Sequence, residues 1–136
     1  MKMLLTKKFA FEMAHALEGY DGKCANLHGH SYHMEVTVEG TKLNADGMAI
    51  DFGAIKRIVQ EQVVDRFDHA LVLKEGSSLL AVGATHKNLI AVPFNPTTEN
   101  LLLNFAQLIE PHLPASTRLH SLRLAETDTS VAEIIF

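Results

Sequence analysis

Residues 24–39 read Cys24-Ala-Asn-Leu-His28-Gly-His30, followed by Ser31-Tyr-His-Met-Glu-Val-Thr-Val-Glu39. Apolar and polar residues alternate through the second half, which predicts a β-strand over about His30 to Gly40 with one buried face. Side chains two residues apart on a strand point to the same side, so His28 and His30 should project together. Two imidazoles on one face, with a third from another segment, can hold zinc and leave a coordination position open.

The third histidine is expected on an earlier strand, over roughly Met3 to Leu17. His15 shares its parity with the apolar residues of that strand, namely Phe9, Phe11 and Met13, so it should project from the apolar face at the far end. His33 has the parity opposite to His30 and should face solvent. These patterns predict zinc ligands at His15, His28 and His30; the alternative is that the three are ordinary core or surface histidines.

Cys24 is the single cysteine of the chain and lies four residues before His28. On spacing alone it has three interpretations: a small buried apolar residue, a fourth zinc ligand, or a reactive base, because a thiolate can serve as ligand or nucleophile. One cysteine cannot form an internal disulfide, which favours a reducing, cytoplasmic compartment.

Length and composition favour one globular domain over residues 1–136, since 47% of the residues are apolar. The formal net charge of −4 offers no positive surface for nucleic acid or an anionic membrane. No apolar run approaches the roughly 20 residues that a membrane-spanning helix needs. The first residues also lack the pattern of a signal peptide.

The remaining elements follow from capping residues and apolar periodicity. Asp51 should cap a helix that runs to about Arg66, and Thr97 should cap a second long helix that ends before Pro111. Shorter pieces are expected between them: an extended piece within 67–73, a short helix over 79–84 and a β-like run over 88–94. Strands near 119–126 and 130–136 close the chain. This order predicts an α+β domain: a four-stranded antiparallel sheet, with two long helices inserted between its second and third strands and packed on one face.

Five elements in this order carry a family resemblance: His15, Cys24-x3-His28-Gly-His30-Ser-Tyr, Asp68-His69, Pro96-Thr-Thr-Glu99-Asn and Glu126-Thr-Asp128. Together they resemble the 6-pyruvoyltetrahydropterin synthase / 6-carboxytetrahydropterin synthase family over nearly the whole chain. The resemblance implies the tunnelling fold. It also implies trimers whose sheets join in a barrel, paired into a homohexamer with active sites at subunit interfaces. The segment 74–94 is longer here than in the shortest members.

The resemblance also implies roles for individual residues. Cys24 would be the catalytic base, and Asp68 with His69 would complete a proton relay; the alternative for this pair is a polar helix terminus. Glu126 would anchor the pterin ring, although it could instead be a carboxylate on the site's rim. The turn that caps the second long helix would also lie near the pterin; its residues are Thr97, Thr98 and Glu99. Independently, Glu126 shares the parity of Leu122 and Leu124, where an unpaired charge would be costly.

The implied function is a zinc-dependent lyase acting on 7,8-dihydroneopterin triphosphate. The spacing is closest to the 6-carboxytetrahydropterin synthases of queuosine biosynthesis, which release acetaldehyde and triphosphate. The alternative is the 6-pyruvoyl enzyme, which eliminates triphosphate from the same substrate. Two further classes stay open: a non-catalytic protein that binds zinc and pterin, and a hydrolase or hydratase with a three-histidine zinc.

Overall fold

The structure, a computed structural model, describes residues 1–136 as a six-stranded sheet with helices packed against it. The strands are β1 Met3–His15, β2 His28–Gly40, β3 Ala70–Lys74, β4 Leu89–Val92, β5 Thr117–Thr127 and β6 Ser130–Ile135. The helices are α1 Phe52–Val59, α2 Asp65–Phe67, α3 Leu80–Gly83 and α4 Thr98–Ile109. Short 3-10 turns cover Lys23–Ala25 and Glu110–His112. None of the helices is both long enough and apolar enough to cross a membrane.

The strand order is β4-β3-β1-β2-β5-β6. An unbroken antiparallel ladder joins β1 to β2, from the pair Met3 and Gly40 to the pair His15 and His28. Strands β5 and β6 continue the antiparallel half, whereas β3 lies parallel to β1 and β4 parallel to β3. The sheet is therefore mixed and six-stranded, and the prediction of a four-stranded antiparallel sheet is wrong on both counts.

Strands β3 and β4 explain that error. They are five and four residues long, and the first four residues of β3 are all buried. A strand buried on both faces shows a short apolar run without the alternation that marks a half-exposed strand. Its membership of the sheet depends on β1, more than fifty residues earlier in the chain.

The core lies between the sheet and the helices. Strand residues of one parity are buried, and the rings of Phe11 and Tyr32 stack with centroids 5.4 Å apart. Helix α4 adds Phe105, whose ring packs edge-on against Phe11. Both predicted caps are confirmed: Asp51 accepts a hydrogen bond from the Gly53 N–H at 2.8 Å, and Thr97 accepts one from the Asn100 N–H at 3.2 Å.

The helical segment after Asp51 departs from the predicted continuous helix. Helix α1 passes into a π-helical turn over Gln60–Val64 before α2. A π turn carries an extra residue per turn, so it shifts the buried face of the segment. Val63, Val64 and Phe67 remain in the core on the far side of this turn.

Candidate metal centre and adjoining cavity

Three histidines meet at the open end of the β1–β2 ladder. The register places His15 opposite His28 and Met13 opposite His30, so the three imidazoles share one face, as their parity predicts. The Nε2 atoms of His15 and His28 are 3.0 Å apart. One ligand atom from each histidine and one carboxylate oxygen of Glu126 all lie within 4.8 Å of one another. Tetrahedral zinc–nitrogen bonds would place such atoms roughly 3.3 Å apart.

Backbone carbonyls orient two of the imidazoles. His15 Nδ1 lies 2.7 Å from the Pro96 carbonyl oxygen, and His28 Nδ1 lies 2.6 Å from the Asn26 carbonyl oxygen. Since a carbonyl only accepts, each Nδ1 carries a proton, and each Nε2 is the ring nitrogen that faces the cluster. Hydrogen bonds of this kind are the usual second support of metal-binding histidines.

His30 supplies the strongest sign that the cluster suits a metal ion. Its Nε2 is buried and has no hydrogen-bond partner, although Glu126 Oε1 lies 3.3 Å away. Buried polar atoms without a partner are rare and call for an explanation such as a bound ion. The donor set therefore fits a metal ion held by neutral imidazoles.

Burial also sets the charge of the cluster. Burial lowers the pKa of His15, and the nearby His28 lowers it further. The pKa of His30 is lowered by the same two causes. Imidazole must be neutral to bind a metal, so both shifts favour the ligating form. Burial raises the pKa of Tyr32, whose neutral phenol lies 3.5 Å from His15 Nδ1.

Glu126 lies inside this cluster rather than on an outer rim. Its Oε1 is 3.3 Å from the Nε2 atoms of both His15 and His30. The β5–β6 pairing shifts register between Ala125 and Thr127, and a bulge of this kind re-aims the side chain at its centre. The carboxylate can therefore act as a fourth metal ligand or as an acceptor for a molecule bound beside the metal.

A cavity of about 320 Å³ opens beside the histidines. It brings together six of the residues predicted for the site: His15, Cys24, Thr97, Thr98, Glu99 and Glu126. Cys24 is a free, half-buried thiol. The sequence patterns missed Tyr20 and the strand β6 residues 130–132, which also line the cavity. Tyr20 sits in a turn-rich loop without periodicity, so no pattern could have placed it there.

Asp68 and His69 lie elsewhere. Asp68 accepts a hydrogen bond from the Glu12 N–H at 2.9 Å, and the His69 N–H donates to the Glu12 carbonyl. His69 has a φ of 60° and a side chain that is 79% exposed. It borders a cleft with Glu12 and Ser31, whose parity is opposite to that of the histidine cluster. A single chain therefore does not bring this pair to Cys24.

Hydrogen bonding fixes the charge of Asp68. The Glu12 N–H lowers the pKa of this carboxyl, and His69, whose Nδ1 lies 3.0 Å from Oδ1, adds to the effect. Asp68 is therefore an anion at neutral pH. It can hold the adjacent imidazole in one orientation, as carboxylates do in acid–base sites.

Comparisons with known proteins agree with this geometry. The family described as "6-pyruvoyl tetrahydropterin synthase" matches residues 4–135. A protein of Haemophilus influenzae named 6-carboxy-5,6,7,8-tetrahydropterin synthase is 36% identical over 139 residues, covering 95% of this chain and 96% of that protein. A Rickettsia bellii protein of the same name is 31% identical over 134 residues, covering 95% and 97%.

Solved structures show the same fold. A Caenorhabditis elegans 6-pyruvoyl tetrahydropterin synthase superposes with a TM-score of 0.76 at 20% identity, over 100% of this chain and 96% of that one. An uncharacterized protein of Wolinella succinogenes gives a TM-score of 0.86 at 17% identity, over 99% and 98%. The match along almost the whole sequence, with the histidine cluster and its cavity in place, shows that this chain belongs to the 6-pyruvoyl tetrahydropterin synthase family of enzymes.

Proposed function

We propose that this protein is a zinc-dependent 6-carboxytetrahydropterin synthase. It would convert 7,8-dihydroneopterin triphosphate to 6-carboxytetrahydropterin with release of acetaldehyde and triphosphate, as a step of queuosine biosynthesis. The observation that carries the proposal is the convergence of three imidazole nitrogens at the edge of a cavity that His15 and Cys24 both line. The names of relatives more than 30% identical support the 6-carboxy product over the 6-pyruvoyl product.

The metal would be held by His15, His28 and His30. Three imidazoles with a free position are typical of catalytic rather than structural zinc. Zinc bound there would supply Lewis acidity to the hydroxyls of the substrate's side chain and so acidify the neighbouring C–H bond. The orphaned Nε2 of His30 supports a metal at this point.

Cys24 is the proposed base. It lines the same cavity as His15, but it does not belong to the group of metal donors, whose fourth member is Glu126. A thiolate there could take a proton from a substrate carbon held against the histidines. Asp68 and His69 would pass the proton onward, and because they lie away from Cys24 they would come from a neighbouring subunit.

The pterin ring would lie in the remainder of the cavity. Thr97, Thr98 and Glu99 line one wall and Glu126 another. A carboxylate that faces an amidine-like edge can accept two charge-assisted hydrogen bonds, which is the role proposed for Glu126. Sharing of residues between subunits agrees with a homohexamer built as two trimers.

Incubation of the zinc-loaded protein with 7,8-dihydroneopterin triphosphate, followed by mass spectrometry of the products, tests the proposal. We expect 6-carboxytetrahydropterin, acetaldehyde and triphosphate. A 6-pyruvoyl product would assign the alternative reaction of the same family. Binding of zinc and pterin without turnover would show a non-catalytic protein.

A further inference from the structure

The loop that carries Cys24 has a single anchor. The loop connects β1 to β2. Within the loop, the Leu17 N–H donates a hydrogen bond to the Cys24 carbonyl at 2.9 Å. Three hydrogen bonds join residues 17–26 to parts of the chain beyond β1 and β2, and Glu18 makes all three. The position of Cys24 over the cavity therefore depends on how Glu18 is held.

Asn95 makes two of those three bonds. Its Oδ1 accepts from the Glu18 N–H at 2.9 Å, and its Nδ2 donates to the Glu18 carbonyl at 2.9 Å. The amide thus pairs with both backbone groups of one residue, as a neighbouring strand would. The third bond runs from Ser77 Oγ to the Glu18 carboxylate at 3.0 Å and involves only the side chain.

The same turn fixes a histidine of the metal cluster. Pro96, the next residue, accepts the hydrogen bond from His15 Nδ1. The backbone carbonyl of Asn95 is itself held by the Asn100 side chain at 2.9 Å and by the Thr97 N–H at 2.8 Å. One rigid turn at the start of α4 therefore sets both the loop of Cys24 and the orientation of His15.

We propose that Asn95 is a positioning residue: its side-chain amide locks the Cys24 loop to the turn that orients His15. The inference rests on the proposed function for its catalytic meaning. The positions of the Cys24 thiol and the His15 imidazole can be tested without any assumption about the reaction. No other donor or acceptor replaces the amide, since the backbone of Glu18 has no second partner outside the loop.

The test uses the reactivity of the only thiol in the chain. Metal-free wild type and Asn95→Ala are alkylated with iodoacetamide at fixed pH, and the rates are compared. Two hydrogen bonds of ordinary net strength, together about 1–3 kcal/mol, correspond to roughly a 5- to 150-fold change in the population of the detached loop. Alkylation of Cys24 should accelerate by up to that factor, since the half-buried thiol also reacts to some extent while the loop is attached. Titration with Co²⁺, followed by visible absorption, should show affinity reduced by up to about 10-fold.

The matched control is Glu18→Ala. It removes the bond to Ser77 but leaves both backbone groups that Asn95 holds, so the alkylation rate and the Co²⁺ affinity should stay near those of wild type. Asn95→Asp keeps the acceptor for the Glu18 N–H and loses the donor, so it should fall between wild type and Asn95→Ala. It also serves as the test variant if Asn95→Ala does not fold.

If an Asn95 variant folds and shows the alkylation rate and the Co²⁺ affinity of wild type, the proposal is overturned. Equal effects of Glu18→Ala and Asn95→Ala would overturn it too, since they would show general loosening of the loop. Neither measurement needs turnover. A failure of the proposed enzyme activity, with both readouts changed as expected, would therefore leave the positioning role of Asn95 intact.

Discussion

Individual side chains in the cavity divide into metal donors and groups that would meet the substrate. The three histidines direct ring nitrogens to one point, and Cys24 lines the same cavity as His15 without joining the donor group. Glu126 belongs to both sets by position, because it touches two of the imidazoles and also lines the cavity. Substitution of Cys24 and of Glu126 separates the two kinds of role.

Cys24→Ala should keep its zinc and lose most turnover. A general base typically contributes about 100- to 10,000-fold to the rate, and the histidine donors are untouched by the change. Metal analysis and steady-state kinetics of the purified variant provide the measurement. His33→Ala is the metal control, because His33 is exposed on the opposite face of β2. A variant that loses zinc would make Cys24 a ligand.

Glu126→Gln should weaken pterin binding far more than zinc binding. Charged hydrogen bonds contribute roughly 1.5–3 kcal/mol, which corresponds to a loss of about 10- to 150-fold in affinity. Pterin titration, zinc content and thermal stability should be measured together. Loss of zinc would identify Glu126 as the fourth ligand. Unchanged affinity with a sharp fall in stability would make it a structural carboxylate.

Among the secondary-structure elements, β3 joins β1 over a short stretch that begins beside Asp68 and His69. Asp68 and His69 bracket the backbone of Glu12 and so attach β3 to the edge of β1. Only three residue pairs continue that contact, from Met13 with Ala70 to His15 with Val72. The Asp68 carboxylate therefore stabilises the strand adjoining His15.

Asp68→Asn should change how stability depends on acid. The folded-state pKa of Asp68 lies below its ordinary value of 3.8. Its stabilisation is therefore complete above that value and is lost as pH falls through the folded-state pKa. The variant should unfold at lower temperature at pH 7 and lose less additional stability between about pH 4 and pH 2.

Thermal unfolding at several pH values supplies the measurement for this substitution. Asp46→Asn is the control, since Asp46 lies in an exposed turn and its carboxylate makes no hydrogen bond or ion pair. A parallel pH profile for Asp68→Asn and wild type would contradict the assigned role of the carboxylate.

Strand alternation and capping residues predicted the antiparallel half of the sheet, helix α4 and the start of the helical segment after Asp51. The histidine cluster followed as well, because parity within β1 and β2 is a local property of the sequence. The extended conformation of β3 and β4 was predicted as well, but their place in the sheet was not, since it depends on a distant partner. The π turn at Gln60–Val64 and the contact of Glu126 with two histidines also arise only from tertiary packing.

In the whole molecule, one chain holds the parts of the proposed site on two different faces of the sheet. Cys24 faces the cavity beside the histidines, and His69 faces the cleft of Glu12 and Ser31. A relay between Cys24 and His69 therefore requires a second copy. The proposed hexamer would supply it by placing the His69 face of one subunit against the cavity of the next.

Co-refolding of Cys24→Ala with His69→Ala should restore activity that neither variant has alone. With random equal mixing in a closed ring, about a quarter of the interfaces combine an intact thiol with an intact imidazole. Activity near that fraction of wild type is expected. Each variant refolded by itself is the control. No recovery in a mixed oligomer verified by mass would place the complete relay within one chain.

The histidines and Cys24 all fall within residues 15–30, whereas Pro96 and Glu126 come much later in the sequence. Translation proceeds from the N-terminus, so the imidazoles and the thiol leave the ribosome before Pro96 and Glu126, the residues that orient the histidines, have been made. A nascent chain that ends shortly after His30 carries four possible metal donors, the three histidines and Cys24. It does not yet carry the amide of Asn95 or the carbonyl of Pro96. If the cluster binds the proposed metal, an ion captured early by the thiol would have to leave it once α4 has packed.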